Sequence, residues 1–167
     1  MFLSYSLCFL AALLLHEMGH FVAARACRVN VSEFGVGWGR KLVGFQFAGV
    51  EYVFRLLPVG AYVRLSLADL QKRPLGQQVL VLLAGIIVNL VAASVTAGTQ
   101  FSTMNYLLAA TNILPLYQQD GWKCGMVMLR GILQRKSLFV EWTFTIAGSS
   151  LSLVFFIALF ARCLRAI

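Results

Sequence analysis

Residues 2–24 form an almost wholly apolar run, interrupted near its end by His16, Glu17 and His20. As a helix the run is roughly 34 Å long, enough to cross a bilayer. Three ionisable side chains within about one turn at membrane depth are costly and mark a functional site rather than packing. His16 and His20 are four residues apart. They project from one helix face, so both imidazoles can reach one metal ion. Glu17 lies about 100° round from His16, close enough to hold a water on that metal. A tetrahedral zinc bound in this way is one protein ligand short, and the rest of the chain has to supply it.

Of the 167 residues, 60% are hydrophobic and 12% charged, and the mean hydropathy is +0.81. Soluble domains carry about 25% charged residues, so the chain is an integral membrane protein. After residues 2–24, further spans are expected at about 78–97, 104–124 and 140–161, which gives a mainly α-helical, multi-pass protein with about four transmembrane helices. The third is the least regular, because Pro115 interrupts it and Gln118, Gln119 and Asp120 follow. No linker, repeat or low-complexity tract divides the chain, so residues 1–167 read as a single domain. The N-terminus has no basic region before the apolar run and is expected to be retained. Cys8, Cys27, Cys124 and Cys163 lack paired spacing and read as small apolar fillers.

Net charge is +8, but the basic residues are spread between apolar spans without a dense basic and aromatic tract, which argues against a nucleic-acid partner. Membrane orientation accounts for them better. The link between the first two spans holds Arg25, Arg28, Arg40, Lys41, Arg55, Arg64, Lys72 and Arg73, and the link after the third holds Arg130, Arg135 and Lys136. The short link at 98–103 holds none. Both basic links are therefore expected in the cytoplasm and the N-terminus outside. Arg162 and Arg165 in the tail count weakly against this. Residues 29–67 are not a span: 42–47 and 50–56 read as strands around an Ala48-Gly49 turn, with a further strand after a break at Pro58. A membrane-associated β-hairpin or sheet on the cytoplasmic side is expected there.

Counting the helical rise from the outer face puts His16 about 21 Å and His20 about 27 Å deep, and Asp120 at about 24 Å. Asp120 is thus the best candidate for the third ligand, the alternative being a carboxylate that partners Lys123. Asn89 and Asn112 also fall near mid-membrane, where an amide either bonds across helices or contacts a substrate.

His16-Glu17-Met18-Gly19-His20, Gly85-Ile86-Ile87-Val88-Asn89, and Asn112-Ile113-Leu114-Pro115 continuing to Asp120-Gly121 together resemble the site-2 protease family of intramembrane zinc metallopeptidases. The last segment matches that family's Asn-x-x-Pro-x-x-x-x-Asp-Gly motif, and the stretch around Arg55 to Arg64 resembles the membrane-embedded β segment of bacterial members. The resemblance implies that His16, His20 and Asp120 hold Zn2+, that Glu17 is the catalytic base, and that Asn89 and Asn112 lie near the substrate. Gln119, Trp122 and Ala61 depart from the family's usual residues, and residues 98–103 are too few for the PDZ module many members insert. The implied activity is hydrolysis of a peptide bond in or next to a transmembrane segment of a protein substrate in the lipid bilayer, as in regulated intramembrane proteolysis. In a bacterium the location would be the plasma (inner) membrane, with the site toward the cytoplasm. A silent relative that binds such segments without cutting them is the alternative, against which the intact Glu17 argues. Oligomeric state is left open.

A helical substrate must be unwound before its carbonyl can be reached, and the freed backbone groups need partners in the membrane. A strand edge offers them: within residues 42–65 the stretch from Gly60 to Leu65 is expected to pair with the substrate, with Gly60, Ala61, Tyr62 and Val63 as the contacts. The orientation makes a direct prediction. With the native cysteines replaced, cysteines at Arg40 and Thr103 are expected to react with an impermeant thiol reagent from opposite faces of sealed vesicles. Labelling of both from the same face contradicts it.

Overall fold

The computed structural model describes residues 2–133 and 137–165. Arg135 and Lys136, expected in a cytoplasmic link, lie outside the described residues, as do the side chains of Cys163 and Arg165. The order is α1 (Phe2–Ala26), β1 (Val31–Phe47), β2 (Val50–Leu65), α2 (Leu67–Gln71), α3 (Leu75–Val95), α4 (Gln100–Ile113), α5 (Asp120–Leu133) and α6 (Leu138–Arg165). Among the described residues, three helices are long and apolar enough to cross a membrane: Leu3–Ala26, Leu75–Val95 and Leu138–Ala158. This is a mainly α-helical, multi-pass membrane protein with a β-hairpin after its first helix.

The span expected at 104–124 is not one helix. It is divided between α4 and α5, each of 14 residues and so roughly 21 Å long. The cause is Pro115, which lacks an N–H and excludes the helical conformation from the residue before it. Leu114 is accordingly extended, with φ −63° and ψ 143°. α5 then restarts with Asp120 in its first turn. Gly121 permits the bend, because a Cβ there would overlap the carbonyl of Ile113.

The hairpin also differs from the reading of the sequence. Its turn is at Ala48 and Gly49, both with positive φ (50° and 79°), as a tight turn between twisted strands requires. The strands are longer than expected, since β1 begins at Val31 and β2 runs unbroken through Pro58. Gly35 and Gly37 serve close packing within the sheet: a Cβ on Gly35 would enter the Tyr62 ring, and one on Gly37 would meet the Leu57 carbonyl. The strands pair antiparallel and fold back, so that Phe34, Gly35 and Val36 pair with Val63, Tyr62 and Ala61 on one side and with Tyr52, Val53 and Phe54 on the other. Residues 61–65 therefore form a border of the sheet with no strand on their outer side among the described residues.

Across this sheet the carboxylate of buried Glu33 accepts from the Tyr62 hydroxyl and pairs with Arg64 at 2.7 Å and Arg55 at 3.3 Å. The Tyr62 hydrogen bond, reinforced by both arginines, holds this carboxyl below the usual range. The cluster ties residues 61–65 to β1.

The core lies where α1, the hairpin and α3 meet. Ala24, Val29, Val31, Val50 and Val81 are at most 2% exposed, and Phe21, Phe34 and Tyr52 stack beside them with ring centroids 5.8 to 6.4 Å apart. Gly19 lets α1 and α3 approach, since a Cβ there would stand 2.8 Å from the Ala84 carbonyl. Helix α6 braces α5 and the break before it. Arg130 makes a two-pronged pair with Glu141 at 2.7 and 2.8 Å, Trp122 stacks on Phe144, and the Ser152 hydroxyl accepts from the Tyr117 N–H at 2.8 Å. Trp122 thus faces α6.

Candidate metal centre

Three acceptor atoms converge where α1, α3 and the start of α5 meet. His16 Nε2 and His20 Nε2 are 3.2 Å apart, and Asp120 Oδ2 lies 3.0 and 2.9 Å from them. All three residues are buried. One helical turn aims both imidazoles the same way, and the Pro115 break delivers Asp120 to them from the far side.

The second nitrogen of each ring fixes its tautomer. His16 Nδ1 donates to Asn89 Oδ1 at 2.8 Å, and His20 Nδ1 donates to the Val81 carbonyl at 2.8 Å. Both Nε2 atoms then carry lone pairs directed at the carboxylate oxygen. Three acceptors held this close without a proton between them repel one another unless a cation lies among them. A tetrahedral zinc with bonds of about 2.0 to 2.1 Å separates its ligands by about 3.3 Å, so the triangle fits that ion with an expansion of a few tenths of an ångström. Two nitrogens and one carboxylate oxygen also leave a fourth position open, as catalytic rather than structural zinc sites do.

The packing of α3 against the site depends on Gly85. A Cβ there would stand 2.5 Å from His20 Nε2 and 2.7 Å from His16 Cε1. Any side chain would push the imidazoles away from Asp120. Lys123 Nζ donates to Asp120 Oδ1 at 3.1 Å, while Oδ2 faces the histidines. The two readings of Asp120, ligand and lysine partner, therefore fall on different oxygens of one carboxylate.

Beside the triangle is a cavity of about 300 Å³ bordered by Glu17, His20, Asp120 and Lys123 and, from the sheet border, by Val63, Arg64 and Leu65. Val63 is the residue of the expected 60–63 contact set that reaches this cavity. Tyr62 turns toward Glu33 and Arg55, Ala61 borders a separate hollow with Trp38, and Gly60 lies against Trp38 and the start of α1. Asn89 is fully buried behind His16. The Asn112 amide donates to Leu108 in its own helix. Arg64 and Leu65, the end of the 60–65 stretch expected to pair with substrate, border the cavity together with Val63. The residue that the sequence reading did not place at the site is Gly85, whose one signal was its position four residues before Asn89.

Two imidazoles and a carboxylate beside a glutamate, among membrane helices, form a group that could hold a metal ion. The sequence comparisons agree, for the chain belongs to Peptidase family M50, whose model matches residues 4–104. That match contains His16, Glu17 and His20 and stops short of Asp120, whose place beside the histidines is seen in the structure alone. A Synechocystis sp. protein named "Putative zinc metalloprotease" is 36% identical over 103 residues, 54% of this chain and 28% of that protein. A Clostridium acetobutylicum protein of the same description is 37% identical over 98 residues, covering 53% and 29% respectively. An Arabidopsis thaliana chloroplastic protein named "Probable membrane metalloprotease" is 34% identical over 102 residues, covering 54% and 23%. The chain spans less than a third of the length of these relatives.

Replacing Asp120 by alanine is expected to remove most of the bound zinc, measured by metal analysis of the purified protein, because two imidazoles alone form a weak site. Full occupancy in Asp120→Ala would show that another group is the third ligand.

Proposed function

We propose that this chain is the core of an intramembrane zinc endopeptidase that hydrolyses a peptide bond in or beside a transmembrane segment of another membrane protein. The observation that carries the reading is the acceptor triangle of His16, His20 and Asp120 opening into a cavity that Glu17 and the border strand share. In this reading His16 Nε2, His20 Nε2 and Asp120 Oδ2 hold Zn2+. Zinc bound there would supply a Lewis acid for the scissile carbonyl and a lowered pKa for the attacking water.

The remaining chemistry belongs to the chain. Glu17, next to His16 but not one of the three converging ligands, takes the proton of the water and returns it to the leaving amine. Lys123 holds the outer oxygen of Asp120 and so directs the inner one at the histidines. The helices exclude bulk water, and the cavity admits the little that hydrolysis consumes. Unwinding a substrate helix in this setting exposes amides and carbonyls at several kcal/mol each, in order of magnitude, if they stay unpaired. The unpartnered side of residues 61–65 offers a ladder for them, with Val63 nearest the site.

We further propose that residues 1–167 act as one domain and that α4 and α5 together form a fourth crossing, broken at the depth of the metal. The N-terminus then lies outside and the site opens toward the cytoplasmic side, as the basic links require.

One cleavage assay on a single-span substrate tests both the base and the strand. Glu17→Gln is expected to keep zinc and lose turnover by a factor of at least about 100, the contribution of a positioned general base. Near-normal turnover removes Glu17 from the mechanism. Proline scanned through residues 60–65 in folded, zinc-loaded protein is expected to lower cleavage, with partial recovery on substrates carrying helix-breaking residues. Unchanged cleavage across the scan shows that the border strand does not hold the substrate.

A further inference from the structure

Behind His16 the hydrogen bonds continue beyond Asn89 into α4. Asn89 and Asn105 are both fully buried, and neither touches the cavity beside the metal triangle. Asn89 Nδ2 donates to Asn105 Oδ1 at 2.8 Å and to the Ala12 carbonyl at 3.2 Å. Asn105 Nδ2 in turn donates to the Phe101 carbonyl at 2.8 Å. We propose that Asn105 is a positioning residue of the metal centre: anchored on Phe101, its amide fixes the orientation of Asn89 and, through it, the tautomer in which His16 presents Nε2 to the metal.

The argument turns on direction. An amide side chain can in principle be reversed, since its oxygen and nitrogen have nearly the same shape, and the network decides which end points where. A backbone carbonyl cannot be reversed and only accepts. The Phe101 carbonyl therefore claims the nitrogen end of Asn105, which leaves the oxygen end facing Asn89. Asn105 Oδ1 and the Ala12 carbonyl then claim both hydrogens of the Asn89 nitrogen. Only Asn89 Oδ1 remains for His16, and an oxygen there requires the ring proton on Nδ1. With Asn89 reversed, its oxygen would confront two other acceptors and its nitrogen would force the His16 proton onto Nε2, into the triangle with His20 and Asp120. The carbonyls of α1 and α4 thus set the protonation of a ring to which neither is bonded. Groups behind a ligating histidine are worth about tenfold to a hundredfold in metal affinity.

This inference rests on the zinc reading above, and its test separates the two. Zinc affinity of the full chain is measured by competition with a chromophoric chelator, and ligand geometry by the visible spectrum of the cobalt(II)-substituted protein. Asn105→Leu removes the acceptor while keeping the number and branching of side-chain heavy atoms, and is expected to weaken zinc binding about tenfold to a hundredfold and to change the cobalt spectrum. Asn105→Ser, too short to reach Asn89, carries the same expectation if the leucine variant does not fold. Asn105→Asp keeps an oxygen facing Asn89 and is expected to recover most of the affinity. A purely structural role for Asn105 would lower the melting temperature and leave zinc affinity and cobalt spectrum as in wild type, which overturns the relay alone. An aspartate variant no better than the others overturns it as well. A wild-type chain without zinc affinity overturns the metal centre itself, and the relay with it.

Discussion

Three acceptors forced together in an apolar interior are the constraint on which the rest of this structure depends. A carboxylate at the centre of a membrane helix costs on the order of 3 kcal/mol, and two inward lone pairs beside Asp120 add repulsion. Lys123 reaches only the outer oxygen of that carboxylate. Structural zinc sites release on the order of 10 kcal/mol when formed, so a bound cation outweighs these costs and a cation-free centre would spread apart. Metal binding and the packing of α1, α3 and α5 are in this sense one equilibrium.

The backbone features that look like defects serve that convergence. Pro115 stops α4 and lets a new helix begin with Asp120 facing the histidines. Gly121 allows the bend, Gly19 lets α3 come close to α1, and Gly85 leaves the volume that the two imidazoles occupy. Ser152 and the Arg130–Glu141 pair connect α6 to the segment carrying Asp120. A helix with little burial of its own thereby steadies the segment that carries Asp120.

Much of this was legible in the sequence because it follows from fixed periods. The spacing of His16 and His20 and the turn at Ala48-Gly49 need only the helical rise and turn chemistry, whereas Asp120 reaches their depth across the non-helical stretch 114–119 rather than along one helix. What failed depended on partners that a linear reading does not contain. The third apolar stretch has the length of a crossing, yet Pro115 splits it. Residues 31–39 precede the first expected strand, yet they belong to β1, where Gly35 and Gly37 make room for Tyr62 and the Leu57 carbonyl across the sheet. For Asn89 a bond across helices is one of the two expected roles, and only the partner was missing. The Asn89 side chain bonds His16, a role visible only once α1 and α3 are side by side.

The claim that these residues form a nitrogen and oxygen zinc site is tested most directly by X-ray absorption at the zinc edge of the purified, zinc-loaded chain. The account predicts a shell of about four light atoms at about 2.0 to 2.1 Å, with the outer-shell scattering of two imidazoles and no sulfur. A scatterer at about 2.3 Å, the distance of a cysteine thiolate, or a shell without imidazole would contradict it.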